Sequence, residues 1–221
     1  MPFSLQEQQL LPIVISAPRF ASYLLARRND PPAALELYRW NMEVSAAFMV
    51  PLHLCEVAIR NGVVEAILRV HGPNWPWKRG FIQSLPRPSD PRQYDPAKNL
   101  AQVAARQSTY GKVVADLNFA FWEKLFTAGQ ESRLWLPHFR STFPGAPSGA
   151  PISGLRQTAF NQLQRVRKLR NRIAHHEPIF TRALMDDYQR ISELVTWRCP
   201  VTASWMNGIQ AVTKLLTQLP P

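Results

Sequence analysis

The chain has 221 residues, 46% of them apolar, which is enough for one sizeable core and too apolar for a disordered chain. Its 26 Lys and Arg against 15 Asp and Glu give a formal charge of +11, an excess that points to polyanionic partners such as nucleic acid or an anionic membrane surface. Without an uninterrupted apolar run of about 18 residues, or a basic stretch ahead of the first apolar residues, neither a spanning helix nor a secretory signal is expected. Two cysteines, Cys55 and Cys199, offer no zinc spacing and no disulfide framework, and they suit a reducing cytoplasm.

Helical periodicity dominates and no segment alternates as a strand, so a single all-α domain is expected over residues 1–221, with 1–32 as an N-terminal extension. The first helix is predicted at 18–28, with Pro18 in its first turn and Asn29-Asp30-Pro31-Pro32 as its stop. A second is predicted at 33–49, Pro51 interrupts, and a third runs from 52 to 71 before Gly72-Pro73. Residues 72–95 hold Pro73, Pro76, Pro86, Pro88 and Pro91 with Trp75 and Trp77, and read as a long ordered loop facing a partner or serving function. Helices follow at 96–108, 111–128 and 130–140. Residues 144–154, rich in Gly and Pro, read as a flexible loop, and helices at 155–176, 180–197 and 201–218 complete the set.

The predicted third helix is apolar on nearly every side, yet His53, Glu56 and Arg60 fall on one stripe with Asn61 beside it. A charge in a buried helix needs a partner or a wet cleft. Glu56 and Arg60 are therefore expected either to pair with each other or to line a cavity shared with the chemistry described next.

That chemistry centres on residues 163–182. Arg165, Arg167, Lys168, Arg170 and Arg172 place five cations in eight residues with no acid among them. Such a run suits a polyanion better than water, and Arg165, Arg167 and Lys168 are candidate RNA contacts. The helix should end near His176, because Pro178 disfavours the α conformation at Glu177. Both histidines would then lie in the last turn, His175 above Asn171 and His176 above Arg172. Adjacent histidines followed by Glu177 do not form the His-Glu-x-x-His zinc pattern. A Gly-rich phosphate loop and a Gly-x-Ser-x-Gly elbow are both missing, so no metal or cofactor is expected.

Arg170-Asn171-x-x-x-His175 on a helix of a small all-α chain resembles the motif of the HEPN superfamily. Within it, the chain resembles the Abi-like (abortive infection) bacterial proteins in four blocks. These are Leu37-Tyr38-x-Trp40-Asn41-x-x-x-Ser45-x-Ala47-Phe48, Leu54-x-Glu56-Val57-Ala58-Ile59-Arg60-Asn61, Leu117-Asn118-Phe119-Ala120-Phe121-Trp122, and Leu169 to Phe180 around Arg170, His175 and His176. The third block carries Asn118 and Ala120 where the family tends to have Ser and Gly. Residues after Cys199 carry no resemblance.

The resemblance implies a HEPN-like helical bundle elaborated with extra helices and the Pro/Trp-rich loop. It implies a metal-independent endoribonuclease of phage defence, acting as a cytoplasmic toxin on RNA. His175 would move a proton and Arg170 would stabilise phosphate charge, supported by Asn171, Arg172, His176, Glu56, Arg60 and Asn61. A homodimer with a shared cleft, and an antitoxin protein or small RNA as regulator, are implied as well. The alternative is a catalytically inactive HEPN-like module that binds RNA or a nucleotide, or senses a phage component. A purely structural oligomerisation protein is a third reading. The aromatics Tyr38, Trp40, Phe48, Phe119, Phe121 and Trp122 are expected in the core, which leaves Trp75 and Trp77 as candidates for base stacking.

Overall fold

A computed structural model describes residues 3–218, and all regular structure among them is helical. Ser4 opens α1 (Leu5–Ile15) through a capping box, its side chain accepting from the Glu7 amide while the Glu7 carboxylate reaches back to the Ser4 amide. This helix lies in the stretch read only as an extension. It has no buried residue, and Leu5, Ile13 and Val14 are exposed. Ser16, at φ 80°, turns the chain into α2 (Ala17–Ala26), which is anchored by buried Phe20 and Tyr23.

The predicted second and third helices are one. α3 (Pro31–His71) runs straight through Pro51, although proline removes a hydrogen bond and crowds the preceding turn. Burial on both sides of it, by Phe48, Leu52 and Cys55, outweighs that local cost. This helix is also long and apolar enough, by length and composition, to cross a membrane. A core helix with neighbours on several sides meets the same measure, and here α2 packs along α3 and Trp40 Nε1 donates to the Leu215 carbonyl.

The Pro/Trp-rich segment is more ordered than a loop. A 3₁₀ turn at Trp75–Trp77 leads into α4 (Arg79–Ser84). Trp75 is fully buried between Phe81 and Phe121, which removes it from stacking on a base, while Trp77 is partly exposed and donates its indole N–H to the Ala104 carbonyl. After α5 (Pro96–Ala104), the helix predicted at 111–128 is two, α6 (Tyr110–Asp116) and α7 (Phe119–Lys124). Asn118 divides them, because its side chain accepts the Phe121 amide and starts a new helix. A π turn at Glu131–Trp135 continues into α8 (Leu136–Thr142).

Residues 144–154 are pinned rather than flexible. Arg140 donates to carbonyls of Pro147, Ser148 and Ala150, and the Gly145 amide donates to Trp197 at 3.0 Å. The chain approaches so closely there that a Cβ on Gly145 would lie 2.2 Å from the Thr196 carbonyl oxygen. Gly145→Ala is therefore expected to destabilise the fold by about 3 kcal/mol, read as a lowered midpoint in urea; an unchanged midpoint would mean the segment can move away freely.

α9 (Ile152–Ala174) presents Leu163, Val166, Leu169 and Ile173 inward. α10 (Leu184–Arg198) packs against α3, and the last predicted helix is again two, α11 (Pro200–Ile209) and α12 (Val212–Leu216). Trp40, Phe48, Phe119, Phe121 and Trp122 all lie in the core, while Tyr38 is half-buried at its edge.

Candidate functional site

The basic helix ends two residues earlier than its composition suggests. α9 stops at Ala174, His175 caps it with its amide on the Asn171 carbonyl, and His176 takes a left-handed conformation, φ 55°. The His176 amide donates to Ile173 at 3.0 Å and the Glu177 amide to Arg172 at 2.8 Å. This is a Schellman ending, in which the amide of a left-handed residue and the amide that follows it satisfy two of the last free carbonyls. Glycine usually takes that position; a non-glycine residue there costs about 1 kcal/mol and persists only where its surroundings hold it.

Two residues supply that hold. Asn41 of α3 is 5% exposed, and its Oδ1 accepts from both the Ile179 amide (2.8 Å) and the Phe180 amide (3.2 Å). Arg19 of α2 donates from Nη1 to the His176 carbonyl at 2.7 Å. Tyr23 packs on Phe180 and edge-on to Tyr38, so α2, α3 and the segment after α9 share one aromatic junction. Burial, reinforced by Tyr38, pushes the Tyr23 hydroxyl up to about 12, which keeps it a neutral phenol.

Beside this junction opens a cleft of about 790 Å³. From the α9 end it is lined by Arg170, Ile173, Ala174, His176 and Glu177. From α3 come Tyr38, Asn41, Met42, Ser45, Ala46 and Met49, and the wall opposite is Val14, Ile15, Arg19 and Tyr23. The histidine that shares the cleft with Arg170 is thus His176. His175 is exposed on the outward side of α9, where helical spacing groups it with Lys168, Asn171 and Arg172.

The other expected site residues divide. Arg165, Lys168 and Arg170 are exposed and free of ion pairs among the described residues. Arg167 turns inward, its Nε on the carboxylate of Glu123, which is fully buried. That commitment takes its guanidinium away from the proposed RNA face. Arg172 lies 3.3 Å from the Glu177 carboxylate. Glu56 and Arg60 form no ion pair with each other among the described residues, and Arg60 Nε is buried without a hydrogen-bond partner. Neither lines the cleft. Met49 is the last α3 residue to do so, and seven residues of helix put Glu56 about 10 Å further along. Asn61 lines a separate cleft of about 460 Å³ with Arg198 and Cys199. Arg19, Tyr23 and Asn41 were not expected at the site. Asn41 stands in the first of the blocks that carry the resemblance and could have been suspected as a polar residue in an apolar helix, whereas Arg19 gives no sign in the sequence.

The assembly offers a cation with five N–H donors, an imidazole and an amide beside apolar walls, a set suited to holding a phosphate and moving a proton next to it. Comparison of the chain with protein-family models, with characterised proteins and with solved structures finds no match.

Proposed function

We propose that this protein is a metal-independent endoribonuclease of the abortive-infection, HEPN type, working at the cleft between Arg170 and His176. The observation that carries the reading is that these two side chains line one cleft at the end of a helix whose Arg165 and Lys168 are exposed and unpaired. RNA would lie along the outer face of α9, over Arg165, Lys168, Asn171 and His175, with one phosphate at Arg170. The imidazole of His176 takes the 2′-hydroxyl proton, the 2′-oxygen bonds to phosphorus, and the P–O5′ bond breaks. The 5′-oxygen leaves with a proton from an imidazolium or from water. Arg170 stabilises the added charge on the phosphoryl oxygens, and positioned acid–base transfer contributes about 10²–10⁴ in rate.

This differs from the motif reading in placing His176, rather than His175, at the reacting atoms. Symmetric pairing of two chains, and restraint by an antitoxin protein or small RNA in the cytoplasm, belong to the same proposal. The outward position of His175 favours a second reading, an RNA-binding module without catalysis. Incubating the purified protein with total bacterial RNA in EDTA and mapping fragment ends separates the two. Fragments with 2′,3′-cyclic phosphate and 5′-hydroxyl ends are expected; binding without fragments would select the second reading.

A further inference from the structure

We infer that the cleft beside Arg170 holds one unstacked nucleobase, so that the substrate is single-stranded or looped RNA rather than duplex; this rests on reading the cleft as an RNA site. Its volume, about 790 Å³, lies within the range of roughly 300–1,000 Å³ usual for small-ligand sites. Its chemistry changes from end to end. At one end stand Arg170 and His176, with Glu177 at the mouth drawn to Arg172 by their ion pair. The other elements supply apolar walls, Ile15 of α1 and Met42 and Met49 of α3. Met42 and Met49 are 49% and 54% exposed, apolar and polarizable surface left open at the rim. A cation beside a slot walled by thioethers and branched aliphatics matches a phosphate joined to a flat, weakly polar ring.

The polar groups inside the slot fit the edge of such a ring. Asn41 is 5% exposed and spends its Oδ1 on two backbone amides, which leaves Nδ2 as a donor with no acceptor among the described residues. One turn along, Ser45 donates its hydroxyl proton to the Asn41 carbonyl at 2.6 Å, so its oxygen can still accept. Nδ2 therefore stays free to donate into the cleft, and a donor beside an acceptor is what the Watson–Crick edge of a base complements. A base paired in a duplex presents neither its edge nor its faces to such a slot, so the nucleotide must be unpaired or extruded. The wall supplied by Ile15 and Arg19 gives α1 and α2 a role, closing the slot on the side away from α3.

The test uses the full chain and two fluorescently labelled 2′-O-methyl oligoadenylates, which cannot be cleaved by 2′-hydroxyl attack. One is complete and the other carries abasic residues at its centre. Wild type is expected to bind the complete strand about tenfold more tightly, the size of one base stacked on a protein surface. Met42→Ser/Met49→Ser, at exposed positions, and Asn41→Asp, which keeps the acceptor for the turn but removes the donor, should bring that ratio towards one. Arg170→Ala should weaken both strands and leave the ratio in place. Equal binding of the two strands by wild type would overturn the base slot while leaving the RNA reading intact. Failure to bind either strand at low salt would overturn both.

Discussion

Arg170→Ala is expected to lower RNA cleavage by about 10²–10³-fold with little change in thermal midpoint. The side chain is exposed, forms no ion pair among the described residues, and stands in the last turns of α9, so the fold loses almost nothing with it. What is lost is a permanently charged, forked donor placed where a phosphoryl group gains charge. Lysine restores the charge but not the fork, so Arg170→Lys should recover only part of the rate. The same series assigns the histidines. His176→Asn, chosen because asparagine tolerates the left-handed conformation at φ 55°, should lose about 10²–10⁴ in rate by removing the proton-transfer group. His175→Ala should cost far less and mainly weaken binding. The reverse ranking would place the chemistry on the outer face of α9, and with it a site that a single chain does not complete.

Arg167→Ala should act on stability rather than on catalysis. The Glu123 carboxylate is fully buried, Arg167 is its ion-pair partner, and Glu123 Oε1 has no hydrogen-bond partner. Removing one member of a buried pair typically costs 3–5 kcal/mol, and the partial exposure of Arg167 places this case near the lower end, about 3 kcal/mol. Replacing both residues by apolar ones of similar volume, as in Glu123→Leu/Arg167→Met, should recover most of the loss. Urea unfolding of the two single variants and the double variant measures this directly. An Arg167→Ala protein with unchanged stability and weakened RNA affinity would return Arg167 to the RNA face, where its neighbours in sequence stand.

The case of Arg167 illustrates where sequence is readable and where it is not. The all-helical fold follows from periodicity, and the core aromatics follow from their spacing within it. Local chemistry then misleads in both directions. Pro51 looks like an interruption because proline removes a hydrogen bond, yet burial around it carries α3 through. Residues 144–154 look mobile because they are rich in Gly and Pro, yet Gly145 is there for close approach to Thr196. The capping box at Ser4 and Glu7 marks α1, a helix not expected from the sequence, where 1–32 reads as an extension with its first helix at 18–28. At the site, the basic run and Arg170 could be read from sequence. The side of the helix end on which each histidine lies could not, because it depends on the left-handed turn at His176. Asn41 and Arg19, more than 130 residues away in the chain, hold that turn from helices packed alongside.

The most direct test of the central claim replaces one 2′-hydroxyl by hydrogen. An RNA oligonucleotide cut by the wild-type protein in EDTA is resynthesised with a single 2′-deoxynucleotide on the 5′ side of the mapped scissile phosphate. Cleavage at that phosphate should cease while cuts elsewhere continue, because the nucleophile is the substrate's own 2′-oxygen. Undiminished cleavage at the deoxy position would contradict the account, since water or a protein group would then be attacking phosphorus.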